Sequence, residues 1–323
     1  MAPLDPAEPL DRSTAAQVRS SGLTTFKQTF GGSGDQDRAA TDEELAQAFR
    51  AIALNPGVFS LVRGPADLLA DARKGRVGII PSFEAAEMLE GRLENIDHYR
   101  SAGVLVMGLS YNRATPFASG VLSQQSTGLT ELGREAVHRM NSLGVTIDLS
   151  HSDEASSLAA TGASIRPVVI SHAGCAAVQP HPRNKSDTLL RSVADAGGVV
   201  GIYELSFLAP PPRQPTLDDY LTHLEHALAV CGEDHVGIGT DGGLLPFNTS
   251  PASMKAWNAV IARRKAAGVS APGEGPPPFV IGLNRPDRYG VISQALRRRG
   301  LPSRVVEKVL GANFARTFAE TWR

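Results

Sequence analysis

Cysteine is nearly absent: Cys175 and Cys231 are the only two in 323 residues. At most one bridge could form, which excludes a disulfide scaffold and points to two small core thiols in a reducing compartment. Net charge is nearly absent as well. The 32 basic and 33 acidic residues leave −1, so the chain carries no electrostatic footprint for nucleic acid or an anionic membrane. No apolar run approaches the ~20 residues that a membrane span needs. The opening MAPLDPAEPLDRST has no basic stretch followed by an apolar one. No signal peptide is therefore expected, and a cytoplasmic location is. Histidine is missing too, over the whole stretch before His98.

What is present is core-forming material in regular alternation. Hydrophobic residues make up 42% and charged residues 20% of the chain, enough for a sizeable core. α/β barrels reach this length as one domain. Short β-rich runs recur at 22–30, 76–83, 103–110, 144–150, 166–172, 197–203 and 234–241. Segments between them, such as TELGREAVHRMNSLG and LDDYLTHLEHALAVCG, have helical periodicity, and Thr130 and Ser186 or Asp187 suit N-caps. Apolar runs without strict alternation, each followed by an amphipathic helix, indicate a buried parallel sheet. Seven strands are countable. An eighth, closing a (β/α)8 TIM-type barrel, would have to precede residue 22, where MAPLDPAEPL is too proline-rich for a central strand. The expectation is a barrel with a degenerate first strand, an irregular N-terminus over 1–21 and C-terminal helices over 301–323 packed on it, in one domain 1–323. The rival, a doubly wound open sheet, lacks a Gly-rich phosphate turn after any early strand. Proline-rich stretches at 207–216 and 268–279 read as lids over a site.

A barrel of this kind carries its chemistry at the C-terminal ends of its strands. The polar residues there are Glu84, Ser110-Tyr111-Asn112, His151, His172, Tyr203-Glu204 and Asp241. One strand-end histidine is more often structural. Two of them, in Ser150-His151 and Ser171-His172, with carboxylates at other strand ends, favour a metal centre. Glu84, His151, His172 and Asp241 suit zinc, with positions left open for water and substrate. Glu87 and Glu90 compete with Glu84 but fall at helix-surface spacing, and Asp148 reads as orienting a backbone or a histidine. His98, His138, His223 and His226 fall in helical patterns, and His235 precedes its strand. Arg183, in HPRNKSDTLL, either binds a substrate carboxylate bidentately or is a surface arginine on a kinked loop; the residues alone leave both open.

IDLSH (147–151), VVISHAG (168–174), HPRN-x-x-D (181–187) and DHVGIGTDGG (234–243) resemble, in this order, segments of the membrane (renal) dipeptidase family of zinc peptidases. PSFEAAEML (81–89) is similar to that family's glutamate segment and GANFARTF (311–318) to its closing helix. The resemblance runs from about residue 22 to the end. It implies a (β/α)8 barrel, related to the amidohydrolases, that hydrolyses dipeptides, often with a D-residue at the C-terminal position, using two zinc ions bridged by a glutamate. By position it implies Glu84 as the bridging carboxylate and His151 and His172 as ligands of the second zinc. Asp241 becomes the proton-handling aspartate, and Arg183 the holder of the substrate's terminal carboxylate.

Two departures stand out. The family's first strand supplies a His-x-Asp pair to the first zinc, and this chain has no histidine to offer there. Where the family has a substrate-binding histidine after a Leu-Thr motif, this chain reads LSYN, placing Tyr111 and Asn112 in the substrate pocket. One zinc per chain rather than two is therefore expected. Asp241 would take a proton from water and Tyr111 would donate to the developing oxyanion. The implied activity is hydrolysis of the amide bond of a dipeptide or N-acyl amino acid. The alternative is a repurposed or non-catalytic barrel that acts on or binds a related small amide. A homodimer partner could cover the edge that a missing strand leaves.

Overall fold

Runs rich in valine, isoleucine and small residues, with no polar face, belong inside a sheet covered on both sides. The computed structural model describes residues 7–31, 36–70 and 75–323. Its strands are β1 (Thr25–Phe30), β2 (Phe59–Leu61), β3 (Val77–Phe83), β4 (Val106–Gly108), β5 (Thr146–Asp148), β6 (Val169–Ala173), β7 (Val199–Ile202) and β8 (Val236–Ile238). All pair in parallel, in the order β1-β3-β4-β5-β6-β7-β8, with β2 attached to β3. Helices α1 (Arg12–Ser20), α2 (Arg38–Leu54), α3 (Asp67–Ala70), α4 (Glu94–Ala102), α5 (Glu131–Leu143), α6 (Glu154–Ala163), α7 (Asp187–Asp195) and α8 (Leu217–Cys231) intervene. After β8 come α9 (Pro251–Ala266), α10 (Arg288–Arg298), α11 (Ser303–Glu307) and α12 (Asn313–Thr321). Parallel strands wrapped by helices make a TIM-like barrel, as the sequence pattern predicts.

The N-terminal region departs from expectation. Part of the stretch expected to be irregular is helix α1, whose N-cap Asp11 accepts from Thr14 N at 2.9 Å. It buries Ala15 and Val18 against Ile52, Phe59, Val77 and Ile79. The eighth strand lies at β2, not before residue 22. Three residues carry no readable period, which is why the pattern hides it. β2 and β4 share one edge of β3 while β1 holds the other. Pro81 falls at the changeover, where its carbonyl accepts from Leu105 N at 3.0 Å and no N–H is needed.

The C-terminal helices do pack on the barrel. Trp322 stacks on Phe318 at 4.8 Å and donates Nε1 to Thr146 Oγ1 at 3.0 Å, closing the starts of β4 and β5. Helix α9 was not visible in the pattern because only Ile261 of it is buried, so no apolar stripe marks it. Among the described residues no helix is long and apolar enough to cross a membrane. Both cysteines are buried free thiols.

Candidate metal centre

The strand ends meet in a cavity of about 1440 Å³, whose wall includes Lys27, Glu84, His151, His172, Arg183 and Asp241. Close backbone contacts set their positions. A Cβ on Gly239 would lie 1.8 Å from the Ser171 carbonyl oxygen, and one on Gly108 would lie 2.4 Å from that of Glu84. Only glycine at these two positions lets β8 and β4 approach the residues that bear His172 and the Glu84 carboxylate.

Glu84, His151 and His172 converge, their ligand atoms all within 4.8 Å of one another. Glu84 Oε2 lies 3.5 Å from His151 Nε2, and the two Nε2 atoms lie 3.1 Å apart. His151 Nδ1 faces Asn112 Oδ1 at 3.0 Å; an amide oxygen only accepts, so this nitrogen carries the proton. His172 Nδ1 faces Ser171 Oγ at 2.9 Å, and that hydroxyl donates to Asp148, so it too must accept from the ring. Both Nε2 atoms are therefore the nitrogens left to bind an ion, each a lone pair when its ring is neutral, beside a carboxylate. This donor set fits a divalent metal of the zinc type.

Asp148 is the hub behind the pair. It accepts from Ser150 N and Ser171 N, both at 3.1 Å, from Ser150 Oγ at 2.5 Å and from the Ser171 hydroxyl. His172 N in turn donates to Ser150 Oγ at 3.1 Å. The two serines that precede the two histidines thus share one carboxylate. Asp148 holds the backbone before both histidines and reaches the His172 ring through the Ser171 hydroxyl.

The sequence did not suggest what faces Asp148. Lys27 Nζ on β1 sits 3.3 Å from Asp148 Oδ2 and 3.7 Å from Glu84 Oε1, while Thr29 Oγ1 donates to Glu84 Oε1 at 2.6 Å. The strand period of two puts both side chains on the barrel's inner face. Burial opposes charge on all three ionised groups and is outweighed. Lys27 is raised by Asp148 and Glu84. Glu84 is held well below the usual carboxylate range by His172, His151 and Lys27. Asp148 is brought down to about 2 by Lys27, His172 and the two serines. His151 is pushed well below its ordinary value by burial and by the Arg183 guanidinium, which keeps its ring neutral.

The remaining sequence candidates divide. Arg183 is buried at 2% exposure, gives Nη1 to the Ser150 carbonyl at 2.7 Å, and leaves Nη2 with no hydrogen-bond partner, 3.9 Å from Asp241 Oδ2. Residue type alone left a surface arginine open; the buried position removes that reading. Asp241 lies 3.8 Å from His172 Nε2, outside the three-residue group, in a left-handed conformation at φ 51°. Burial and the nearby Glu84 raise its pKa against His172, Arg183 and Lys27. Tyr111 stacks on His151 at 4.0 Å, and burial lifts its phenol to about 12, so it remains a donor. Asn112, expected in the substrate pocket, is 3% exposed and uses its amide on His151 and on the Val269 carbonyl at 3.2 Å. It lines the cavity and also supports His151. Glu204 instead pairs with buried Arg288 at 3.3 Å.

Arg264, from the unforeseen α9, enters the cavity wall beside Tyr111 and pairs with Glu274. The two proline-rich loops do border the cavity and touch each other, with Gln214 Nε2 donating to the Phe279 carbonyl at 2.9 Å.

The model of the membrane dipeptidase family, Peptidase family M19, matches residues 14–265, most of the chain. The chain belongs to the membrane dipeptidase family. An uncharacterized dipeptidase of Schizosaccharomyces pombe is 30% identical over 190 residues, 58% of this chain and 46% of that protein. The dipeptidase tcpJ of Claviceps purpurea is 25% identical over 257 residues, 79% of this chain and 53% of that protein. The match thus spans about half the length of these two dipeptidases. An amidohydrolase structure from Pseudomonas aeruginosa superposes with a TM-score of 0.82 at 28% identity, covering 98% of this chain and 94% of that one. A dipeptidase-family barrel with Lys27-x-Thr29 on its first strand is what the chain presents.

Proposed function

We propose that this member of the dipeptidase family hydrolyses the amide bond of a dipeptide or N-acyl amino acid with one zinc ion held by Glu84, His151 and His172. The observation that carries the reading is the pair of Nε2 atoms 3.1 Å apart beside Glu84, each ring fixed by a partner on its other nitrogen. Zinc bound there would lower the pKa of water toward ~7. Arg183, with Nη2 free, pairs with the substrate's terminal carboxylate and sets the amide over the centre. Asp241 accepts a water proton at its carboxylate and passes it to the leaving nitrogen as the C–N bond breaks, a role that its raised pKa suits. The Tyr111 hydroxyl donates to the carbonyl oxygen as negative charge builds there.

A second reading, a repurposed barrel that binds a related amide without turning it over, draws support from Lys27, which puts a fixed cation where the family's first strand supplies metal ligands. Turnover on a panel of dipeptides, including C-terminal D-residues, and N-acyl amino acids separates the two. Hydrolysis that a chelator abolishes, zinc restores and His151→Ala lacks supports the hydrolase. Ligand-dependent thermal stabilisation with no metal-dependent turnover supports the binder.

A further inference from the structure

Glu84 turns its two oxygens to opposite sides. Oε2 faces the histidine pair, with His151 Nε2 at 3.5 Å, while Oε1 takes the Thr29 hydroxyl at 2.6 Å and lies 3.7 Å from Lys27 Nζ. On that second side the ammonium is also 3.3 Å from Asp148 Oδ2, and the lysine side chain is only 14% exposed. One carboxylate therefore lies between two cation positions, one lined by imidazole nitrogens and one filled by the protein's own ammonium.

We propose that Lys27 is a built-in cation that fills the second cation position beside Glu84 and holds the centre at one metal ion. The inference rests on the metal reading above and supplies its stoichiometry with a cause. Two observations support it independently of any relative. Among the described residues, Glu84, His151 and His172 are the only group of three or more His, Cys, Asp or Glu side chains able to hold an ion, so no second group of that size lies beside Oε1. Charge also balances: Glu84, Asp148 and Asp241 are neutralised by Lys27 and one divalent ion, leaving Arg183 for an anionic substrate. A second divalent ion on that side would stand against the ammonium, which already pairs with Glu84 Oε1 and Asp148 Oδ2 and leaves only the neutral Thr29 hydroxyl besides.

Because Lys27 and Thr29 share the inner face of β1, replacing them together should rebuild a donor pair. Zinc content after dialysis, measured by elemental analysis, and zinc affinity by calorimetry are read on the full chain, with circular dichroism to check folding. Wild type is expected to hold one zinc per chain. Lys27→Met removes the repelling charge and should bind that single zinc at least tenfold more tightly, whereas Lys27→Arg should match wild type. The Lys27→His/Thr29→Asp double variant should hold two. Wild type with two zinc ions overturns the proposal. So does a folded Lys27→Met with unchanged affinity together with a double variant that stays at one, leaving the metal reading intact. Wild type that binds no zinc overturns the metal reading itself, and the proposal with it.

Discussion

Replacing Asp148 with asparagine keeps the side chain's shape and removes one charge from a closed network. The native carboxylate takes two backbone N–H groups, two serine hydroxyls and the Lys27 ammonium at 3.3 Å. Burial disfavours its charge, yet its pKa stands at about 2 against an ordinary 3.8. That depression corresponds to roughly 2 kcal/mol of stability at neutral pH. Only 3% of the residue is exposed, so solvent screens little of it. An amide at this position leaves buried Lys27 with Glu84 at 3.7 Å as its one ion-pair partner, and removing one partner of a buried pair costs about 3–5 kcal/mol. Asp148→Asn should therefore lose about 3 kcal/mol in urea unfolding at pH 7. Combined with Lys27→Met, the two losses should fall short of additivity by at least ~2 kcal/mol, since the partners touch. The sign with pH follows from a depressed folded-state value. The contribution is present above the unfolded pKa near 3.8 and is lost as the pH falls toward 2. A loss under ~1 kcal/mol at pH 7, or additive losses, refutes the ionic network.

Arg183→Lys keeps charge but loses the fork, and kcat/KM should fall about 10²-fold, chiefly through KM, in steady-state assays. Asn112→Ala frees the His151 ring, so zinc affinity by calorimetry should weaken about 10–100-fold with little change in the far-UV spectrum. His223 is fully buried, accepts from Cys175 N at 2.9 Å and donates toward the Leu208 carbonyl at 3.1 Å, and burial brings its pKa down to about 4. Stability should fall by up to about 3 kcal/mol as pH drops from 6.5 to 4, because the unfolded chain binds the proton first. His223→Gln should flatten that slope in thermal melts over the same range.

The residues differ in how far they announced themselves. The two Ser-His pairs each closed an apolar run, so their strand-end placement and shared centre could be read directly. Glu84 was found the same way. β2 escaped because three residues carry no period, and α9 escaped because it buries almost nothing. Lys27 and Thr29 were present in TFKQTF, an otherwise strand-like run with a lysine in its middle. A charged residue inside a barrel strand was the available signal, but the partners that stabilise it, Asp148 and Glu84, lie far along the chain. Asn112 lines the cavity as spacing beside Tyr111 suggests, but only three-dimensional contact shows its oxygen on His151.

Diffraction from zinc-soaked crystals, recorded on both sides of the zinc absorption edge, locates each bound ion without reference to activity. One anomalous peak is predicted per chain, about 2.0–2.2 Å from a Glu84 oxygen and from the Nε2 atoms of His151 and His172, with Lys27 Nζ still beside Asp148. A chain with no peak between the two histidines, or with a second peak on the Lys27 side of Glu84, would contradict it.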